Sequence, residues 1–98
     1  MPMTVVVTRD VSDRFRGFLA SIMLEIAPGV YTGPRMSRGV RERVLCVLEE
    51  WWAAAPGGSI VMTWSDPSVR GGQAVLTFGM PAVEVEEADG LFLARRGL

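Results

Sequence analysis

The sequence predicts an α+β domain: two helices on one face of a small, mostly antiparallel sheet, with a strand extension at the C-terminal end. Three observations carry this. Two stretches place their apolar residues at helical spacing, several short runs are rich in β-branched residues, and Pro and Gly punctuate the gaps. With 98 residues, 49% of them hydrophobic and 21% charged, the chain has material for one core and not for two.

Thr4-Val5-Val6-Val7-Thr8 is β-branched throughout, long enough for a buried strand and too short for a helix. It ends at Arg9-Asp10, after which Ser12 or Asp10 can cap a helix by offering an oxygen to the free first-turn amides. Phe15, Phe18, Leu19, Ile22, Met23 and Ile26 form one apolar stripe, and Pro28-Gly29 stops it. Gly29–Gly33 reads as a brief strand, with a stub of strand before it near Glu25–Ala27. Ser37 caps a second helix whose stripe is Val40, Val44, Val47, Leu48 and Trp51, ended by Pro56-Gly57-Gly58. Ser59–Ser65 and Gln73–Gly79 are two further strands, joined by the Pro- and Gly-bearing loop Asp66–Gly72. Beyond it lie an acidic patch of Glu84, Glu86 and Glu87 and a last short strand, Leu91-Phe92-Leu93.

Strand, helix, strand, helix, strand, strand suggests helices on one face of a small, mostly antiparallel sheet, of which a ferredoxin-like sandwich is the commonest version, its second strand here shortened or merged into the Glu25–Gly33 segment. The chain divides into a domain over 1–79 and an extension over 80–98. One sheet with two helices leaves a sheet face and strand edges without cover, and dimerisation is the usual remedy.

The absent residue types restrict the chemistry. There is no His, so His-based triads and His metal sites are excluded, and the one cysteine, Cys46, permits no internal disulfide. Cys46 lies beside the second apolar stripe and reads as inert filling. No stretch reaches the ~18 apolar residues of a spanning helix, and the first residues lack the basic start of a signal peptide. A cytoplasmic protein with no membrane partner is expected. P-loop, dinucleotide-binding and nucleophile-elbow motifs are all missing.

Net charge is −1, yet every basic residue is Arg. Residues 1–43 carry seven Arg against four acids, and residues 44–98 carry three against seven, so a near-neutral molecule can own a basic face. Arg14 and Arg16 fall in the first turn of the first helix, where guanidiniums and free amides can converge on phosphate. Arg35, Arg38, Arg41 and Arg43 crowd the start of the second. The bland alternative is a solvated face with local pairing, for instance Arg38 to Glu42. Asp10 and Asp13 can hold Mg²⁺, with two-fold symmetry doubling the carboxylates, or can merely favour the helix dipole. Adjacent Trp51 and Trp52 cannot face one way, so one joins the core and the other a second apolar surface. Glu84–Asp89 reads as a solvated turn.

The ordered pieces M-x-M-T-V-V-V-T, V-S-D-R-F-R-G, G-V-Y-T-G, I-V-M-T-W-S, L-T-F-G-M and A-D-G-L resemble CRISPR-associated protein 2 of the type I-E subtype, over residues 1–93. That resemblance implies a ferredoxin-like homodimer between two dimers of the integrase, CRISPR-associated protein 1, with captured duplex (prespacer) DNA across the assembly. It implies duplex-backbone contacts at Arg14 and Arg16, with Arg38 and Arg41 in a second basic segment that faces DNA. The apolar run Leu91-Phe92-Leu93 can add to a sheet edge, so the extension is expected to contact the dimer mate or the integrase. Two departures stand out. The subtype can carry an Arg pair after the fourth strand, where this chain has Ala82-Val83-Glu84. Many family members place a catalytic, metal-binding Asp at the end of the first strand, where Asp10 is the nearest match and Arg9 holds the adjoining strand-end position. The sequence therefore favours a DNA-binding scaffold without catalysis of its own. The alternatives are a Mg²⁺-dependent endonuclease using Asp10 from both subunits and a small ferredoxin-like regulatory dimer.

Overall fold

The structure, a computed structural model, describes residues 2–81, 83–88 and 90–96. In chain order the elements are β1 (Thr4–Arg9), α1 (Asp13–Ile22), β2 (Leu24–Ala27), β3 (Val30–Gly33), α2 (Arg38–Ala54), β4 (Ser59–Ser65), β5 (Gln73–Phe78), β6 (Val83–Ala88) and β7 (Leu91–Arg96). The first five strands form an antiparallel sheet in the order β2-β3-β1-β4-β5, while β6 and β7 pair in a separate two-stranded sheet. Two helices on this open sheet give the expected α+β, ferredoxin-like arrangement, with β5 added beside β4.

Strand register explains the core. Val6 lies opposite Tyr31 on one side and Met62 on the other, so these side chains share the helix-facing surface. With Ile60 they are fully or almost fully buried, under Phe15 and Leu19 of α1 and Val44 and Leu48 of α2. The opposite face carries Val5, Val7, Val61 and Val75 among threonines, and no helix covers it within the protomer. Val7 is 41% exposed there.

The same register fixes where each helix begins. β1 runs from Thr4 to Arg9 and delivers the chain to α1 at its far end. β3 runs back, bringing Gly33 opposite Thr4, so α2 begins at the near end. The two helices are antiparallel, with their N-termini at opposite ends of the sheet.

Several sequence-based expectations are corrected. The first stripe does not continue to Ile26: α1 ends at Ile22, Met23 caps it through Leu19, and Leu24–Ala27 is strand β2. Leu24 and Ile26 are 63% and 60% exposed, because β2 is an edge strand with a bulge between Glu25 and Ala27. Val40, expected on the second stripe, is 45% exposed. Cys46 is exposed rather than filling the core. The acidic run Glu84–Glu87 forms strand β6 rather than a turn, and β7 extends from Leu91 to Arg96. The extension is thus a hairpin, with β6 lying against β5 and the short 3-10 turn Arg70–Gly72. Asp89, within that acidic stretch, lies outside the described residues.

Candidate nucleic-acid interface

At the exit of β1 the chain turns sharply. Asp10 adopts φ 56°, a left-handed conformation that Asp tolerates better than most side chains. The loop is held from the other side by Gly58, at φ 73°, whose backbone approaches the carbonyls of Arg9 and Asp10 so closely that a Cβ would collide with both. Ser12 is the N-cap residue, but no side chain caps α1, neither that of Ser12 nor that of Asp10. The Ser12 carbonyl instead accepts from the Phe15 and Arg16 amides at 3.1 and 3.5 Å. The first-turn amides ahead of Phe15 therefore remain free, and with the helix dipole they favour an anion.

Arg14 and Arg16 sit on this turn without converging. Two residues along a helix turn through about 200°, and their surroundings differ accordingly. The Arg14 guanidinium carbon lies 3.9 Å from the ring centroid of Trp51 on α2. Trp51 is itself packed edge-on against Phe15 and Phe18, at centroid distances of 5.8 and 5.2 Å. Arg16 turns the other way, with Nη1 3.7 Å from Asp13 Oδ1, an exposed pair that contributes little to stability. It also neighbours the Tyr31 hydroxyl. Burial holds that hydroxyl's pKa above its ordinary value, Arg16 acts to lower it, and Glu25 acts to raise it. Glu25 is anchored in turn by accepting the Gly29 amide at 3.1 Å. The two cations thus lie on different sides of the start of α1, Arg14 on the Trp51 ring and Arg16 beside Asp13 and the Tyr31 hydroxyl.

Arg38 and Arg41 lie at the opposite end of the sheet. About ten residues of helix, or ~15 Å of rise, separate them from Trp51 and hence from Arg14. Ser37 caps α2 by accepting the Val40 amide at 3.2 Å. Arg38 donates to Glu42 at 2.9 Å and its side chain is 83% exposed. Arg41 folds inward, its guanidinium carbon 4.8 Å from the Trp64 ring centroid.

The tryptophan pair divides as the sequence requires, though both rings are half-buried. Trp51 faces α1, and Trp52 packs on Phe78 at 6.1 Å. One face of Trp51 is taken by Arg14, so it offers no open platform for a base on that side.

Asp10 is exposed, and among the described residues no group of three His, Cys, Asp or Glu side chains is arranged to hold a metal ion. Mg²⁺ binding needs several oxygen ligands in near-octahedral geometry. One protomer's described residues do not supply that set.

The stacks on Trp51 and Trp64 and the neighbours of Tyr31 were not visible in the sequence. Each joins residues from elements far apart along the chain, with no local spacing to announce it. A family model described as CRISPR-associated protein (Cas_Cas2CT1978) matches residues 3–93.

Proposed function

The chain belongs to that CRISPR-associated family, and on this premise we propose that it is a non-catalytic, dimeric DNA-binding scaffold of the spacer-acquisition complex. It holds duplex prespacer DNA while an integrase partner, CRISPR-associated protein 1, performs strand transfer. The order of the sequence pieces supports the type I-E subtype. The observation that carries the DNA-binding reading is the placement of Arg14 and Arg16 on either side of the free amides of α1, Arg14 stacked on Trp51 and Arg16 beside Asp13. Spaced cations on a helix start contact separate backbone phosphates, which gives affinity without sequence preference. Arg38, at the far end of the helix layer, reaches a duplex that runs the length of that layer.

The uncovered valine face of the sheet supports a homodimer. Closing two such faces buries apolar surface on both protomers and doubles the arginine sites by symmetry. The β6–β7 hairpin, outside the main sheet, is the segment free to contact the dimer mate or the integrase.

The deciding test measures duplex binding and cleavage, with and without integrase, in Mg²⁺ and in EDTA. Binding that survives EDTA, without cleavage in Mg²⁺, supports the scaffold. Cleavage in Mg²⁺ that Asp10→Asn abolishes would replace it with the endonuclease.

A further inference from the structure

At the end of the molecule away from Arg14 there is a groove of about 800 Å³ between the first turns of α2, the end of β4, the Asp66–Arg70 loop and β5. Its polar groups are in an unusual state. Among the described residues, three side-chain polar atoms are buried without a hydrogen-bond partner: Thr4 Oγ1, Arg41 Nη1 and Trp64 Nε1. All three fall in one place. Thr4 is the register partner of Trp64, and Arg41 stacks on the Trp64 ring. Arg41 and Trp64 both line the groove.

An unpaired buried donor is costly, and an unpaired guanidinium more so. Arg41 has carboxylates in its neighbourhood and pairs with neither. Glu42 is engaged by Arg38, and Asp66 accepts from the Ser68 amide and hydroxyl, which chiefly hold its pKa low. Arg41 Nη1 and Trp64 Nε1 are therefore neighbouring buried donors at the wall of the groove that no described residue uses.

We propose that this groove is a docking site for a carboxylate-bearing peptide of a partner protein, with the carboxylate received by Arg41 and Trp64. Three features select that occupant. Among the described lining residues, Arg38, Arg41 and Arg70 exceed the two carboxylates by one charge, which suits a single carboxylate. Leu45, Val69 and Leu76 give apolar walls, and the volume far exceeds one carboxylate, so the ligand brings an apolar body. A nucleotide is disfavoured because Trp64 is the one aromatic ring among the described lining residues and Arg41 already covers a face of it. The proposal is independent of duplex binding at Arg14 and Arg16.

The test follows the three indole N–H signals of the full-length protein by two-dimensional ¹⁵N NMR, with Trp64 assigned through Trp64→Phe. The probes are N-acetyl-Leu-Glu-Leu-amide, its Gln counterpart, inorganic phosphate and the dinucleotide TpT. The expected result is a saturable movement of the Trp64 signal with the Glu peptide, at least ten-fold weaker with the Gln peptide, while Trp51 and Trp52 stay still. Arg41→Gln removes the response, and unmoved Trp51 and Trp52 signals certify its fold. Should that variant not fold, the Glu-against-Gln comparison on the unaltered protein decides alone. Equal responses to the two peptides, saturation by phosphate or TpT at or below the Glu-peptide concentration, or no saturable response overturns the proposal.

Discussion

Arg14, in the first turn of α1, rests its guanidinium 3.9 Å from the ring centroid of Trp51, in the last turn of α2. The antiparallel helices bring these ends together, so the cation proposed to meet phosphate is positioned by the other helix. Trp51→Leu keeps an apolar side chain and removes the ring. A partly exposed cation–π contact is worth about 0.5–1 kcal/mol, so urea unfolding should show at least that loss. Duplex affinity should also fall, with the salt dependence unchanged because the charge remains.

Arg14→Ala and Arg16→Ala should behave differently from that variant. In the proposed dimer each leaves two phosphates of the bound duplex without a cation, so each should lower the slope of log affinity against log salt by about 1.8, and the double variant by the sum. All duplex sequences should weaken alike. Titrations between 50 and 200 mM salt measure it, salt conditions over which such ion pairs dominate. An unchanged slope in the double variant would remove these residues from the interface.

Asp10 yields a paired prediction, since its backbone and its carboxylate make separate demands. At φ 56° Asn is well tolerated, so Asp10→Asn should fold with unchanged stability. Asp10→Val places a β-branched residue in the left-handed region and should cost about 1–2 kcal/mol. A scaffold retains spacer acquisition in cells with Asp10→Asn, whereas a nuclease loses it.

The valine face predicts an oligomeric state. Sedimentation should give roughly twice the 10.7 kDa chain mass. Val7→Glu places a charge at the centre of that face, opposite Val30 and Val61, and should yield a folded monomer. A dimer that survives Val7→Glu is built elsewhere, with the β6–β7 hairpin the next surface to alter.

Tyr31 supplies a pH dependence. Its hydroxyl is held neutral above its ordinary pKa of 10.0, chiefly by burial. The unfolded chain therefore releases this proton first. The stabilisation is full below pH 10 and lost as the pH rises through the higher folded value. Urea midpoints from pH 8 to 11 should fall at the alkaline end, and Tyr31→Phe should flatten that fall.

Elements with strong local signals were legible in the sequence. The β-branched run 4–8, the Ser37 cap and the strand Ser59–Ser65 all lie where residue types alone put them. The end of α1 was not, because Ile26 continues a helical spacing that the pairing of β2 with β3 overrides. The hairpin was half visible. Alternating Val and Glu over 83–86 carries a strand period, but its partner, the stretch around Leu93, lies beyond a turn.

By itself the sequence determined the element order, hence the α+β class, and confined the cations to Arg, concentrated at two helix starts. Periodicity and charge type are local properties, and they survive without coordinates. Which arginines act together was decided by the tertiary structure alone. Antiparallel β1 and β3 send α1 and α2 off from opposite ends of the sheet. Clusters that look alike in sequence therefore end far apart. Arg14 finds Trp51 and Arg16 finds Tyr31 at one end, while Arg41 is turned onto Trp64 at the other. Such pairings depend on contacts between residues distant along the chain, and no spacing within a single element encodes them.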